Sequence, residues 1–270
     1  MKKFIFSILV ILSTANIYAQ EMQISGGFDF SGGLSKVDSS FGFNYLGYSY
    51  IYNNKSTSAF FAPGISFIVR VFLDDNDISR GFVFRDRVNF LTNEKTNGSF
   101  SIYRNGYLFD SGKISETASI SDDELTSIMD FGLGYSTRYK ISKRWQFYSD
   151  LGVNFTWMDY EDYETKSASN YLGAGIFSDA AFQITLTEKF YLELGLNFII
   201  NIFSSQKGKI VIPKYNFNTN YKDAGRFDLF STAFYIHFGR RFDLQQLGND
   251  LLNKNTSKNT SQNSGGQEQH

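Results

Sequence analysis

In 226–242 (RFDLFSTAFYIHFGRRF) every second residue from Phe230 to Phe238 is apolar or β-branched: Phe230, Thr232, Phe234, Ile236 and Phe238. The residues between them are small or polar: Ser231, Ala233, Tyr235, His237, Gly239 and Arg241. A period of two predicts a strand with one apolar and one polar face. The same alternation recurs along the chain. It predicts strands over 22–34, 58–73, 80–91, 127–140, 145–157, 171–187 and 190–203, with 226–242 as the eighth. The fifth sets Trp145, Phe147, Leu151, Val153, Phe155 and Trp157 against Gln146, Tyr148, Asp150, Gly152 and Asn154. Pro63 cannot donate to a ladder, which places it near a rim. In the third strand Asp86 shares a face with Phe82, Phe84, Val88 and Phe90, a conflict that implies either a bulge at this point or a different strand assignment there.

The connections alternate in length. Residues 35–57, 92–125, 158–170 and 204–225 are predicted long loops, and 74–79, 141–144 and 188–189 are short turns. Within the second long loop, Asn105-Gly106 between 99–104 and 107–113 signals a type I′ hairpin. Its arms are too short to span a membrane, so it is expected to stand above the strands. Phe41, Phe43, Tyr45, Tyr48 and Tyr50 form an aromatic block in the first long loop. They are a candidate contact surface, or packing for that hairpin.

The ends change the picture. Residues 1–20 have the form of a secretory signal: Lys2 and Lys3, an apolar run over 4–12, then Ala15 and Ala19 before a cut after Ala19 or Gln20. The alternative, an uncleaved anchor, is disfavoured because the run is too short to span. Beyond it no window of helix-spanning length is free of charge. A chain exported in this form and placed in a membrane can cross it only with a closed set of strands. The predicted architecture is therefore all-β: an eight-stranded antiparallel up-and-down barrel over residues 21–242, with long loops on one side and both ends on the other. Residues 243–270 close in a polar, low-complexity tail that cannot bury a core and is expected to be disordered in the periplasm.

Composition agrees with strands. The chain holds 29 Phe, 17 Tyr and 23 Gly against 2 Pro. It has no Cys, which rules out disulfides, thiolate metal sites and lipid-modified cysteine. Its formal charge is −1, falling to −3 without the two signal lysines, so charge gives no reason to expect nucleic acid as a partner.

The polar faces together place Asp29, Arg70, Arg85, Arg87, Asp130, Arg138, Asp150, Asp179, Glu193, His237 and Arg241 inside the barrel. An eight-stranded barrel is just wide enough for its own side chains, so the expectation is a charge-balanced plug. A narrow polar path gated by ion-pair rearrangement is the alternative. His237 is read as structural, because Ser231 lies six residues away on its own strand and no orienting acid is evident. The acidic run Asp159, Glu161, Asp162 and Glu164 lacks the ligand spacing of a calcium loop. No metal cluster, phosphate loop, repeat or cofactor motif is present, and neither a cofactor nor an enzyme is expected.

The signal ending IYAQ, the opening GGFDFSGG, the strand–turn rhythm and the aromatic last strand ending at Phe242 resemble the OmpA/OmpX/OmpW-like group of small outer-membrane β-barrels. The resemblance covers residues 21–242. It implies location in the outer membrane of a Gram-negative-type bacterium; Trp145 and Trp157, at the two ends of the fifth strand, and Phe242 are the candidate membrane-belt aromatics. It also implies as partners the outer-membrane lipid and the barrel-assembly machinery, which would act on the last strand, with any extracellular ligand unknown. A structural or surface-interaction role through long loops is expected, or alternatively a narrow porin-like path for small or hydrophobic solutes. A soluble sandwich or lipocalin-like barrel would require the opposite orientation, with the apolar faces turned inward.

Overall fold

The computed structural model describes residues 20–119, 124–162, 167–212, 217–222 and 225–244. The predicted signal, most of the tail and part of the acidic loop lie outside them. The chain runs β1 (Glu21–Tyr45), β2 (Tyr48–Phe72), β3 (Ile78–Phe90), β4 (Asn93–Arg104), β5 (Tyr107–Ser119), β6 (Glu124–Lys140), β7 (Trp145–Asp162), β8 (Ser167–Thr185), β9 (Phe190–Ile212), β10 (Phe217–Lys222) and β11 (Gly225–Asp243). All pairings are antiparallel. Eight strands close a ring in the order β1, β11, β9, β8, β7, β6, β3, β2 and back to β1.

The register fixes the barrel's geometry. Following partners round from Phe155 passes through Phe131, Asp86, Phe67, Gly26, Phe238, Leu192 and Ile184. The path returns to β7 at Trp145, ten residues lower. Eight strands with that shear tilt by about 41° and close at a radius of about 8 Å. Each residue then rises about 2.5 Å along the axis.

All four predicted long loops are strand for much of their length; in the third, β7 continues to Asp162 and β8 begins at Ser167, paired with it. The first, 35–57, is a continuation of β1 and β2, paired without a break from Glu21↔Phe72 to Tyr45↔Tyr48. The second is the β4–β5 hairpin, whose arms start at Asn93 and end at Ser119 and are thus longer than predicted. β4 docks on the upper half of β2, from Tyr50↔Arg104 to Phe61↔Asn93. The upper parts of β1 and β2 with β4 and β5 make a paddle standing above the ring. The fourth is taken up by the end of β9 and by β10, which pairs with it. Periodicity missed these segments because polar residues occupy both faces, the buried Ser35, Ser39 and Ser56 among them, so backbone pairing persists where the apolar half of the pattern has stopped.

The turns follow local chemistry. Asn105 and Gly106 have φ of 48° and 85°, as the type I′ signal requires. Leu46-Gly47 closes β1–β2 the same way, with φ of 48° and 78°. The turn before β9 takes four residues rather than two. Phe190 N–H donates to Thr187 Oγ1 at 3.1 Å, and its carbonyl accepts from the Leu186 and Thr187 amides. Ser142 and Trp145 repeat this arrangement in the turn before β7. Pro63 sits where β2 leaves β3, last paired at Gly64↔Asn89, and has not yet met β4. Its missing N–H therefore costs little there.

Burial is inverted relative to a soluble barrel. Trp157 is 52% exposed and Phe198 42%, whereas Arg70, Arg85, Arg87 and Asp150 are 1% exposed. The lipocalin-like alternative is excluded by this orientation. Asp86 does face outward among the apolar side chains. The ladders on both sides of it run without a register shift and the strand spans Ile78–Phe90, so neither a bulge nor a different assignment removes the conflict.

Candidate functional site: the lumen network

Among the described residues the barrel interior holds a connected network of buried polar side chains. Strand pleating turns one face of all eight ring strands into it. Asp29 comes from β1, Arg70 from β2, Arg85 and Arg87 from β3, and Asp130 and Arg138 from β6. Asp150 comes from β7, Asp179 from β8, Glu193 from β9 and His237 from β11. All ten are buried. Arg241 is half-buried at the lower mouth.

Near the lower mouth Arg138 pairs with Glu21 and Asp75, each at 2.9 Å. Arg241 donates to Gln183 at 2.6 Å and to Thr185 at 2.9 Å. The Tyr148 hydroxyl joins Gln23, Gln146 and Gln183. Above this, Arg70 reaches Asp150 at 2.9 Å and Glu193 at 2.7 Å, with its guanidinium 4.6 Å over the Tyr148 ring. Arg85 pairs with Asp179 and lies 3.6 Å from Asp29. The Tyr235 hydroxyl bridges Asp179 at 2.6 Å and Glu193 at 3.1 Å. Higher still, Arg87 grips Asp130 through Nε and Nη2 and donates to Ser231 at 3.0 Å. Thr156 and Asn154 serve the other oxygen of Asp130.

Two glycines make room for the large rings. A Cβ on Gly195 would strike the Tyr235 ring, and one on Gly239 would strike Tyr191. Phe60, Ala62, Leu91, Ile128 and Leu229 form a buried apolar cluster toward the upper mouth.

Sequence reasoning named the charges but not the groups that join them. Tyr235, Tyr148, Ser66, Asn89, Gln183 and Thr156 lie on the same inward faces, and the alternation already placed them there. The five acids and five arginines are not spread evenly along the interior. Arg138 is paired with Glu21 and Asp75, and Arg241 sits at the mouth. The central section therefore sets five carboxylates against Arg70, Arg85 and Arg87. The hydroxyl and amide donors of Tyr235, Thr156, Ser66 and Asn89 supply the remaining contacts.

His237 has serine neighbours that its own strand did not predict. Ser66 Oγ is 2.6 Å from Nε2 and Ser25 Oγ 3.4 Å from Nδ1. Asp29 accepts from Ser66 at 3.3 Å. In a nucleophilic triad the acid orients the far nitrogen of the imidazole. Here that nitrogen faces Ser25, and Ser66 and His237 are both buried. Among the described residues no group of acids and histidines is arranged to hold a metal ion.

On the outside, Trp157 stands twelve residues above Trp145 on β7, about 30 Å higher. By the same geometry Phe242 lies within about 1 Å of the height of Trp145. Both tryptophans are about half-exposed. In the paddle, Phe43 stacks on Tyr50 at 5.1 Å and Tyr50 meets Phe109 edge-on at 5.9 Å. The Arg104 guanidinium sits 4.0 Å over Tyr48. The aromatic block thus packs on the β4–β5 hairpin, while Leu46, Tyr107 and Leu108 remain exposed at the tip. The side chains of Phe41 and Tyr45 lie outside the described set.

No family model matches the sequence, and no curated protein matches it. Among solved structures, the chain is similar to the outer membrane protein OprG of Pseudomonas aeruginosa, with 14% identity over 83% of this chain and 97% of that one and a TM-score of 0.46. Ail, the attachment invasion locus protein of Yersinia pestis, gives 11% identity over 83% and 99%, with a TM-score of 0.38. The outer membrane protease OmpT of Escherichia coli gives 9% over 83% and 97%, with a TM-score of 0.42. The closed ring, the shear of ten and the inverted burial carry the conclusion independently of these likenesses: the chain has the fold of the small eight-stranded transmembrane β-barrels of outer membranes.

Proposed function

We propose that this protein is a non-enzymatic integral component of the outer membrane of a Gram-negative-type bacterium, serving a structural and surface-contact role. The barrel anchors a paddle on the outer side, and both barrel ends and the tail face the periplasm. One observation carries this reading: β1 and β2 do not stop at the rim but continue, hydrogen-bonded, into a sheet with an aromatic tip. A segment meant only to connect strands needs no such rigidity. The filled lumen supports the same reading over a transport path. Its ion pairs join side chains from seven of the eight ring strands, hydrogen bonds of Ser231 and Tyr235 tie in β11, and an apolar cluster lies above them. The enzyme reading is disfavoured by the placement of Asp29 on the serine side of His237. Lipid is the solvent of the outer face, and the barrel-assembly machinery would engage the last strand.

Two measurements test this. In planar bilayers the purified protein is expected to be electrically silent, and reproducible conductance steps would overturn the closed lumen. The chain has no native cysteine, so Tyr107→Cys gives a unique thiol at the paddle tip. A membrane-impermeant maleimide is expected to label it on intact cells. Labelling only after the outer membrane is breached would reverse the orientation.

A further inference from the structure

Among the described residues, Asp86 is a charged side chain whose place on the barrel's outer face the fold does not explain. It lies on the outer face, half-buried, with Phe67 of β2 and Phe131 of β6 as its direct cross-strand neighbours. Phe28, Ile65, Phe67 and Val88 line a shallow groove around it. Its depth follows from the register. The row through Asp86 climbs six strands from Trp145, about 3 Å per strand, which sets it about 19 Å above Trp145 and about 11 Å below Trp157. That is within the hydrocarbon, slightly outside the midplane. An ionisable group facing acyl chains is costly and rare, and is ordinarily paired or turned to a protein interior. Within the chain the inward charges beside it, Arg87 and Asp130, are engaged with each other across the sheet. Its own face presents apolar groups from both neighbouring strands.

We propose that the β1–β2–β3 face is a self-association surface, on which Asp86 meets Asp86 of a second copy across a two-fold axis normal to the membrane. Depth selects this occupant. A lipid headgroup sits about 11 Å too high to reach the carboxyl. An unrelated membrane protein would need a polar group at a matching height by coincidence. A second copy presents one at the same height by symmetry. Two carboxyls brought together hold a proton between them, giving a hydrogen bond that hydrocarbon cannot offer. The groove walls, Phe28 and Phe67, are exposed and supply apolar contact on either side.

The test uses the full chain in phosphatidylcholine vesicles, which carry no amine donor, with one fluorophore on a paddle cysteine. Photobleaching steps are counted as the protein is diluted in lipid. The wild type is expected to be dimeric. Asp86→Leu is expected to weaken dimerisation by about tenfold, the size of one hydrogen bond between membrane segments. Asp86→Asn, which can still pair with its copy, is expected to stay within about threefold of the wild type on the same scale. Val88→Cys, two residues above Asp86 on the same face, is expected to cross-link between copies on oxidation. Ile200→Cys, on β9 across the ring, is expected not to do so. A monomeric wild type, a leucine variant that dimerises equally well, or cross-linking at Ile200 in place of Val88 would overturn the proposal.

Discussion

Arg70 is 1% exposed and holds Asp150 at 2.9 Å and Glu193 at 2.7 Å, both of them buried as well. Replacing it with Met keeps the stem and removes the charge, stranding two carboxylates in the lumen. Breaking a buried pair from one side costs about 3–5 kcal/mol, and two stranded acids place the expected loss at the upper end. With a urea slope of about 2 kcal/mol per molar, the unfolding midpoint should fall by about 2 M. The control is the triple variant Arg70→Met, Asp150→Asn, Glu193→Gln. Removing all three charges leaves no ion uncompensated, so the triple variant should recover most of the loss. Equilibrium unfolding in lipid vesicles, followed by tryptophan fluorescence and by the gel shift between folded and unfolded barrel, measures all the variants. A single variant that loses less than about 1 kcal/mol would refute the claim that these charges depend on one another. So would a triple variant as unstable as the single one.

Other residues test other parts of the structure by the same assay. Tyr235→Phe removes one hydroxyl from between Asp179 and Glu193 and should cost about 1.5–3 kcal/mol, the range for hydrogen bonds to charged groups. Leu151 lies midway between Trp145 and Trp157 on the outer face. Leu151→Arg should cost about 2–4 kcal/mol in a bilayer, and much less in a detergent micelle that can deform around it. Leu46 sits at φ 48° in a two-residue turn that favours Asn. Leu46→Asn should therefore stabilise the protein by up to about 1 kcal/mol, read as a higher urea midpoint or slower proteolysis of the paddle.

The alternation of side chains was sufficient to give the eight membrane strands and which residues face which way. Pleating is obligatory, so Arg70 and Arg85 share a side as surely as Phe82 and Val88 do. The expected export signal then pointed to lipid on the apolar side, and the burial of Arg70 beside the exposure of Trp157 shows that orientation. Turn chemistry was equally local: Asn105-Gly106 declared its hairpin without help from the rest of the chain. Three things needed the closed ring. Strand length above the membrane did, because a strand with polar residues on both faces has no hydrophobic period and is held by its neighbours' backbones. Partnership did as well, since Tyr235 could bridge Asp179 and Glu193 only once a shear of ten had set their heights. So did the depth of Asp86, which the sequence marked as a conflict but which only the register around the barrel placed in hydrocarbon.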